Sequence, residues 1–372
     1  NTTVPRKYNG AHLTFPGLSN RYQPKLDKDG NKSGGMHYWV RNVVWRILQN
    51  GNTYMAHTVG AGKTLASITA GMELRRLGLA KKPTYVVLKS TLKQFAADFY
   101  KAYPNAKILI ADETQLDREN RRRFMARIAN EEFDAIVITH QAFKQIQLSA
   151  DVVNDMVESD LEEYRAILEE IDEDDRATRS QIERMIESME NKLVSQSDQD
   201  AKDTGLTFEE LGLDFLFVDE AHNHKKIPFP TAQAGIKGVD AAGSALAYDL
   251  FLKSRYLNTV RPGRGLVLMS GTPVTNTLGE VFNIQRYLQP EVLRDKSVSS
   301  FDAWSATFAE SVTDIEMQAG GNYKPVTRMA RFVGVGGLMR DFMAVADVIN
   351  DDDLKAAATI KRPKVKGGAR EI

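Results

Sequence analysis

The chain has 372 residues, with 49 Lys or Arg and 49 Asp or Glu, so no global basic field advertises nucleic acid, although charge can still be segregated on one face. It has no cysteine, which excludes disulfides and thiolate metal sites and fits a reducing compartment. The length fits two domains or one domain with large insertions, and hydrophobic residues, at 42%, are enough for a proper core. No apolar run reaches the ~18 residues of a membrane span.

Residues 1–35 are rich in Gly, Pro, Asn and Lys, and turn signals such as DKDGNKSGG predict an irregular lead-in. MHYWVRNVVWRILQNG (36–51) has apolar residues at helical spacing and a terminal Gly, which predicts a helix. A strand, TYMAH, then feeds a glycine loop and a helix over 63–78. TYVVLK, KILIA, AIVITH, FLFVDE and GLVLMS are short apolar runs, mostly separated by helical patterns. Buried strands alternating with helices predict an α/β fold with a parallel sheet covered on both faces, over 36–150 and 205–290.

Residues 151–204 break that rhythm. Val153, Met156, Val157, Leu161, Tyr164, Leu168 and Ile171 share one helical stripe, and Ile182, Met185, Ile186, Met189 and Leu193 share another. The pattern predicts an inserted antiparallel helical hairpin, either a solvated spur or an arm that docks a partner or guides nucleic acid. Its acidic character argues against direct phosphate contact. Beyond 290 the pattern predicts a helical extension over 291–372, ending in a basic, Gly-containing tail. The start at Asn1, without a signal-like segment, and the closing KVKGGAREI read as a cytoplasmic piece of a longer protein.

The stretch HTVGAGKTL (57–65) supplies what a phosphate cradle needs: inward backbone N–H groups, a helix N-terminus behind them, and one cation. Val59, Gly60, Ala61 and Gly62 make the turn, Lys63 can reach the β- and γ-phosphates, and Thr64, followed by Leu65, can offer its hydroxyl to Mg²⁺. LFVDEAHNHKK (216–226) sets two carboxylates at a strand end; Asp219 can hold Mg²⁺ and Glu220 can polarise an attacking water. His222 and His224 also suggest a transition-metal pair, but the absence of cysteine and the scarcity of other histidines favour magnesium. After another buried strand, Ser270, Gly271 and Thr272 form a small-residue turn that can approach the carboxylates.

With these elements assembled, the chain resembles the superfamily-two helicases, and within them the Swi/Snf-like DNA-translocase branch. HTVGAGKT fits the register of the branch's D-E-M-G-x-G-K-T, with His57 in an acidic slot. PTYVVLKSTLKQFAADFYKAYP is similar to the motif Ia region, and VITHQAF to the next DNA-facing motif. DEAHNHKK matches D-E-A-H-x-x-K, and GTPVTNTLGEVFNIQRYLQP parallels G-T-P-x-x-N-x-L-x-E-L through to a closing Pro. The resemblance implies the first RecA-like lobe of a motor that uses ATP and Mg²⁺ on duplex DNA. His222 and Thr272 would then couple nucleotide state to the lobe interface, and Lys89, Ser90, Lys93, Thr139 and His140 would touch DNA phosphates.

Within the branch, residues 40–64 are most similar to phage and plasmid antirestriction polyproteins of the DarB type. Those join such a helicase to an adenine-N6 DNA methyltransferase. Two departures stand out. The adenine-reading glutamine is replaced, with Val40 in or near its slot, leaving Tyr38, Trp39 or Arg41 either to stack on the base or simply to pack. Motifs IV to VI are missing, including the arginine-finger motif, so a second lobe is expected beyond residue 372. A reading from another class is a nucleotide-gated binding module that never translocates; RNA instead of DNA is a further alternative.

Overall fold

The computed structural model describes residues 8–26, 32–33, 35–117, 119–200, 206–233, 236, 239, 241–272, 279–317 and 323–356. The lead-in carries two short antiparallel strands, β1 (Lys25–Leu26) and β2 (Lys32–Ser33). Then follow α1 (Tyr38–Asn50), β3 (Thr53–His57), α2 (Lys63–Arg76), β4 (Pro83–Val87), α3 (Leu92–Ala102), β5 (Ile108–Ala111), α4 (Arg121–Asn130), β6 (Ala135–Thr139) and α5 (His140–Gln145). The insert is α6 (Ala150–Glu170) and α7 (Arg176–Asp200). After it come α8 (Phe208–Leu211), β7 (Phe215–Val218), α9 (Ala245–Val260), β8 (Leu266–Met269), α10 (Gly279–Leu288), α11 (Pro290–Asp295) and α12 (Phe301–Phe308). The last elements are β9 (Ala309–Met317), β10 (Tyr323–Phe332), α13 (Val335–Val345), β11 (Ala346–Ile349) and α14 (Asp351–Ala356).

Seven strands form one sheet in the order β11-β3-β8-β7-β4-β6-β5, and every neighbouring pair is parallel. This is the parallel α/β arrangement expected from the alternation of apolar runs and helices, and it agrees with the RecA-like fold that the resemblance implied. Alternate residues of each strand face opposite ways. Met55, Tyr85, Val87, Val137, Phe217, Val267 and Met269 meet α1, α2 and α3 on one face. Tyr54, Val86, Ile138, Leu216, Val218 and Leu268 meet α4, α5, α9 and α10 on the other. The later strands β8 and β7 slot between β3 and β4, which brings three loop-bearing strand ends side by side.

The two apolar stripes of the insert bury against each other and against the sheet's helical cover. Val153, Val157, Leu161 and Tyr164 are buried, as are Ile182 and Met189. Arg179 donates to the carbonyls of Leu168 and Ile171, and Arg165 pairs with Glu190, so α6 and α7 run antiparallel. The hairpin is not a free spur: half-way along α6, Asp160 accepts from Arg255 and Tyr248 of α9 at 2.6 and 3.0 Å.

Residues 291–356 depart from the helical expectation. β9 and β10 pair as an antiparallel ribbon, and β11 returns to the sheet as the neighbour of β3. The ADVI run of β11 is only four residues long, too short for periodicity to separate a buried strand from helix. An aromatic cluster of Phe229, Phe282, Phe301, Trp304 and Phe308 forms a third core where α10 meets α12.

The α2–β4 contact leaves no room for a side chain at Gly71, because a Cβ there would lie 1.9 Å from Tyr85 Oη. Ala at an open helical site gains ~1 kcal/mol over Gly. Here Gly71→Ala should instead destabilise the fold by about 1–3 kcal/mol through overpacking. In a Tyr85→Phe background, which removes the clashing oxygen, the penalty should shrink; urea unfolding of the four-member cycle measures both.

Candidate nucleotide site

Parallel strands deliver their carboxyl ends to one edge of the sheet, and the predicted loop residues gather there. β3 ends at His57, and the chain turns through Thr58, Val59, Gly60, Ala61 and Gly62 before α2 starts at Lys63. Gly60 and Gly62 sit at φ 88° and 87°, the left-handed region that favours glycine. A Cβ on Gly62 would press on Val40 Cγ2 at 3.3 Å. Val40 is therefore a packing residue beneath the loop.

The aromatic next to it is the more informative side chain. Trp39 is buried, stacks on His37 at 4.3 Å, and donates its indole N–H to the Ala61 carbonyl at 2.8 Å. It buttresses the loop from α1, so of the three candidate base-stacking residues this one packs. Arg41 is also committed, donating to the Ala11 carbonyl and lying over the Phe15 ring, because the lead-in folds back on α1. Tyr38 is exposed. Leu65, grouped with the loop in the sequence reading, packs against the core on the α1–α3 face. Val59 projects outward at the loop's crest.

Lys63 donates to the His57 carbonyl at 2.7 Å and reaches that of Thr58 at 3.4 Å. Burial pulls its pKa down, and the charges of Glu220 and Asp219 act in the opposite direction. Asp219 follows β7, with its N–H bonded to the Val86 carbonyl of β4. Its carboxyl is pushed up by burial and then by Glu220, while Lys63 and His222 oppose the shift. A half-buried carboxylate held up in this way gains most from a cation. Asp219 and the Thr64 hydroxyl are oxygen donors, the type a hard ion such as Mg²⁺ takes. The glycine turn, the helix behind it and this donor pair fit a Mg²⁺-bound nucleotide.

Glu220 has φ 48°, one of two non-glycine residues with positive φ among those described. Such strain costs of order 1–3 kcal/mol and persists where surrounding structure holds it. Here His222 Nδ1 stands 3.1 Å from Glu220 Oε2 and 3.4 Å from Ser270 Oγ. Ser270 is buried, donates its backbone N–H to the Met55 carbonyl of β3, and accepts from the Thr272 N–H through its hydroxyl. Gly271 lies beside the loop, where a Cβ would be 3.5 Å from the His57 carbonyl oxygen. Three strand ends thus meet through His222 and Ser270. Residues 273–278 of the following motif lie outside the described residues.

Two residues inside the quoted motifs were not singled out as site residues and prove central. Lys225 pairs with Glu280 at 2.9 Å, both largely withdrawn from solvent. Asn283 donates to the carbonyls of Lys225 and Ile227, and the Tyr287 hydroxyl bonds those of His224 and Ala247. The D-E-A-H-x-x-K and G-T-P regions are thus locked together by an ion pair and by Asn and Tyr hydrogen bonds. The signal was spacing within the motifs, but no sequence rule pairs them.

The residues expected to face DNA divide. Lys89, Ser90 and Lys93 are exposed at the end of β4 and the start of α3. Thr139 and His140 are buried, which corrects their assignment as phosphate contacts. Thr139 caps α5 and donates to Glu113 at 2.7 Å, and Glu113 in turn pairs with Lys89. His140, one residue on, turns inward, with its Nδ1 2.7 Å from His224 Nε2. His224 Nδ1 faces the Leu246 carbonyl, so it donates there and accepts from His140. Both ring nitrogens of His224 are engaged, and it cannot form a metal pair with His222.

Burial lowers the His140 pKa to about 4, against a contact with the Asp219 backbone, and burial plus His140 lowers His224 to about 3. Unfolded histidines take up protons below about pH 6.5, whereas the native pair resists down to these values. Stability is therefore full above about pH 6.5 and lost progressively as pH falls toward the two folded values. Replacing both histidines by glutamine should flatten this acid limb in a urea series; an unaltered limb would contradict a neutral pair.

A family model described as a probable helicase domain matches residues 45–349. Defense against restriction protein B of Escherichia phage P1 is 21% identical over 405 residues, an alignment covering 97% of this chain and 17% of the phage protein. The chain thus spans a small part of that relative's length. Among solved structures, the Sulfolobus solfataricus SWI2/SNF2 ATPase core in complex with dsDNA is similar at 14% identity and a TM-score of 0.39, covering 78% of this chain and 41% of that one. The family match takes in well over half of the sequence, from α1 to the last residue of β11, and the chain belongs to that family of probable helicase domains.

Proposed function

We propose that this chain is the first, ATP-binding lobe of a Swi/Snf-like translocase that moves on duplex DNA. The observation that carries the reading is the convergence of Lys63, behind the glycine turn that follows β3, with Asp219 and Glu220 after β7, on one edge of the sheet with only β8 between those strands. In this reading the loop N–H groups and Lys63 hold the phosphates, with Lys63 exchanging its carbonyl partners for phosphate oxygens. Thr64 and Asp219 hold the metal. Glu220, fixed by His222, takes a proton from the attacking water. Magnesium-bound ATP supplies the polarised phosphoryl group when bound. His222, Ser270, Gly271 and Thr272 relay nucleotide state to the lobe interface.

Lys89, Ser90 and Lys93 form the DNA-facing set, positioning the backbone without reading bases. A second RecA-like lobe of the same polypeptide supplies the transition-state arginine, a contribution of about 10³–10⁵ in rate in comparable enzymes. The phage relative's name supports an antirestriction setting and a phage origin; plasmid encoding as the alternative, a cytoplasmic location and a linked DNA methyltransferase belong to the same proposal.

The chain alone should bind ATP with Mg²⁺ and hydrolyse it weakly or undetectably. Lys63→Ala should weaken binding of a fluorescent ATP analogue at least tenfold, about 1.4 kcal/mol. Asp219→Asn should remove its magnesium dependence, and Glu220→Gln should leave binding intact. Brisk DNA-stimulated turnover by residues 1–372 alone would overturn the single-lobe assignment. Binding equal in wild type and Lys63→Ala would overturn the nucleotide site itself.

A further inference from the structure

The glycine loop is held from its far side by a segment almost 300 positions later in the chain. β11 pairs with β3 in parallel register, Ile349 opposite His57. Where that ladder ends, the Thr58 N–H donates to the Ile349 carbonyl at 2.9 Å. The Thr58 hydroxyl then donates to Asp351 Oδ1 at 2.6 Å, and His57 Nε2 lies 2.7 Å from Asp347 Oδ1, with both side chains buried. The segment is itself fixed to α1, because Arg46 donates to the carbonyls of Met343 and Ala344.

His57 and Thr58 are also the residues whose carbonyls receive Lys63. The backbone that carries those two carbonyls is therefore held on its β11 side by contacts that β11 and α14 make. We infer that Asp347 and Asp351 are positioning residues for the phosphate-binding turn, acting through His57 and Thr58 on the resting place of the Lys63 ammonium. This deepens the proposed ATP-binding function and rests on it. Trp39 fixes the turn at Ala61 from one side, and the two aspartates fix its root from the other. The turn is then preorganised, so that a phosphate meets N–H groups already in place and pays less ordering entropy on binding.

Binding of a fluorescent ATP analogue and amide hydrogen exchange over residues 57–62 together test the inference. Thr58→Val and Asp351→Ala should each weaken binding about tenfold. The double variant should be no weaker than either single, because both remove one bond. Thr58→Ser keeps the hydroxyl and should bind within about twofold of wild type. Without nucleotide, exchange across the turn should rise in Thr58→Val and Asp351→Ala and stay at the wild-type level in Thr58→Ser. Additive losses, or unaltered exchange in both disrupting variants, overturn the clasp. If the wild type binds no nucleotide while exchange behaves as expected, the clasp stands and the ATP reading falls.

Discussion

In a sheet whose strands all run the same way, each strand must be followed by a crossover over one face, and all carboxyl ends collect along one edge. That constraint governs this molecule. The glycine turn after β3, the D-E-A-H run after β7, the S-G-T turn after β8 and the basic residues after β4 share that edge for this reason alone. Insertion of β8 and β7 between β3 and β4 then decides which of them become neighbours. Ligands of open parallel sheets bind outside the carboxyl ends of the strands, and the candidate residues converge there.

The electrostatics of that edge follow from partial burial. Burial and the charge of Glu220 raise the cost of ionising Asp219, and Lys63 is desolvated beside them. Beside them Lys225 pairs with Glu280 and His140 with His224. Breaking a buried ion pair by removing one partner typically costs about 3–5 kcal/mol. Such pairs hold strand ends in register, and this one joins the loop after β7 to α10.

Adjacent residues at the β6–α5 junction look in opposite directions. Thr139 joins Glu113 and, through it, exposed Lys89, whereas His140 joins His224 beneath the carboxylates. One helix start therefore touches both the polar surface near α3 and the floor of the candidate site. The inserted hairpin stands apart from this edge. It contributes its buried stripe to the core through α9, and its acidic surface remains outside.

The sequence by itself determined the parallel sheet, the loop and the carboxylates, because each is a local pattern: short apolar runs, G-x-G-K-T, and two acids closing a strand. The hairpin's buried stripes were equally legible, since their spacing repeats over many residues. Only the tertiary structure decided what joins distant segments. Trp39 buttresses Ala61 instead of stacking on a base, His140 faces inward instead of toward DNA, and β11 is a strand lying against β3. Each outcome depends on a partner tens to hundreds of positions away, supplied by Ala61, His224 and His57. His57 is the clearest instance. Its slot is acidic in the Swi/Snf-like pattern, and here the acid, Asp347, arrives from the neighbouring strand, because a parallel ladder brings residues far apart in sequence to the same height.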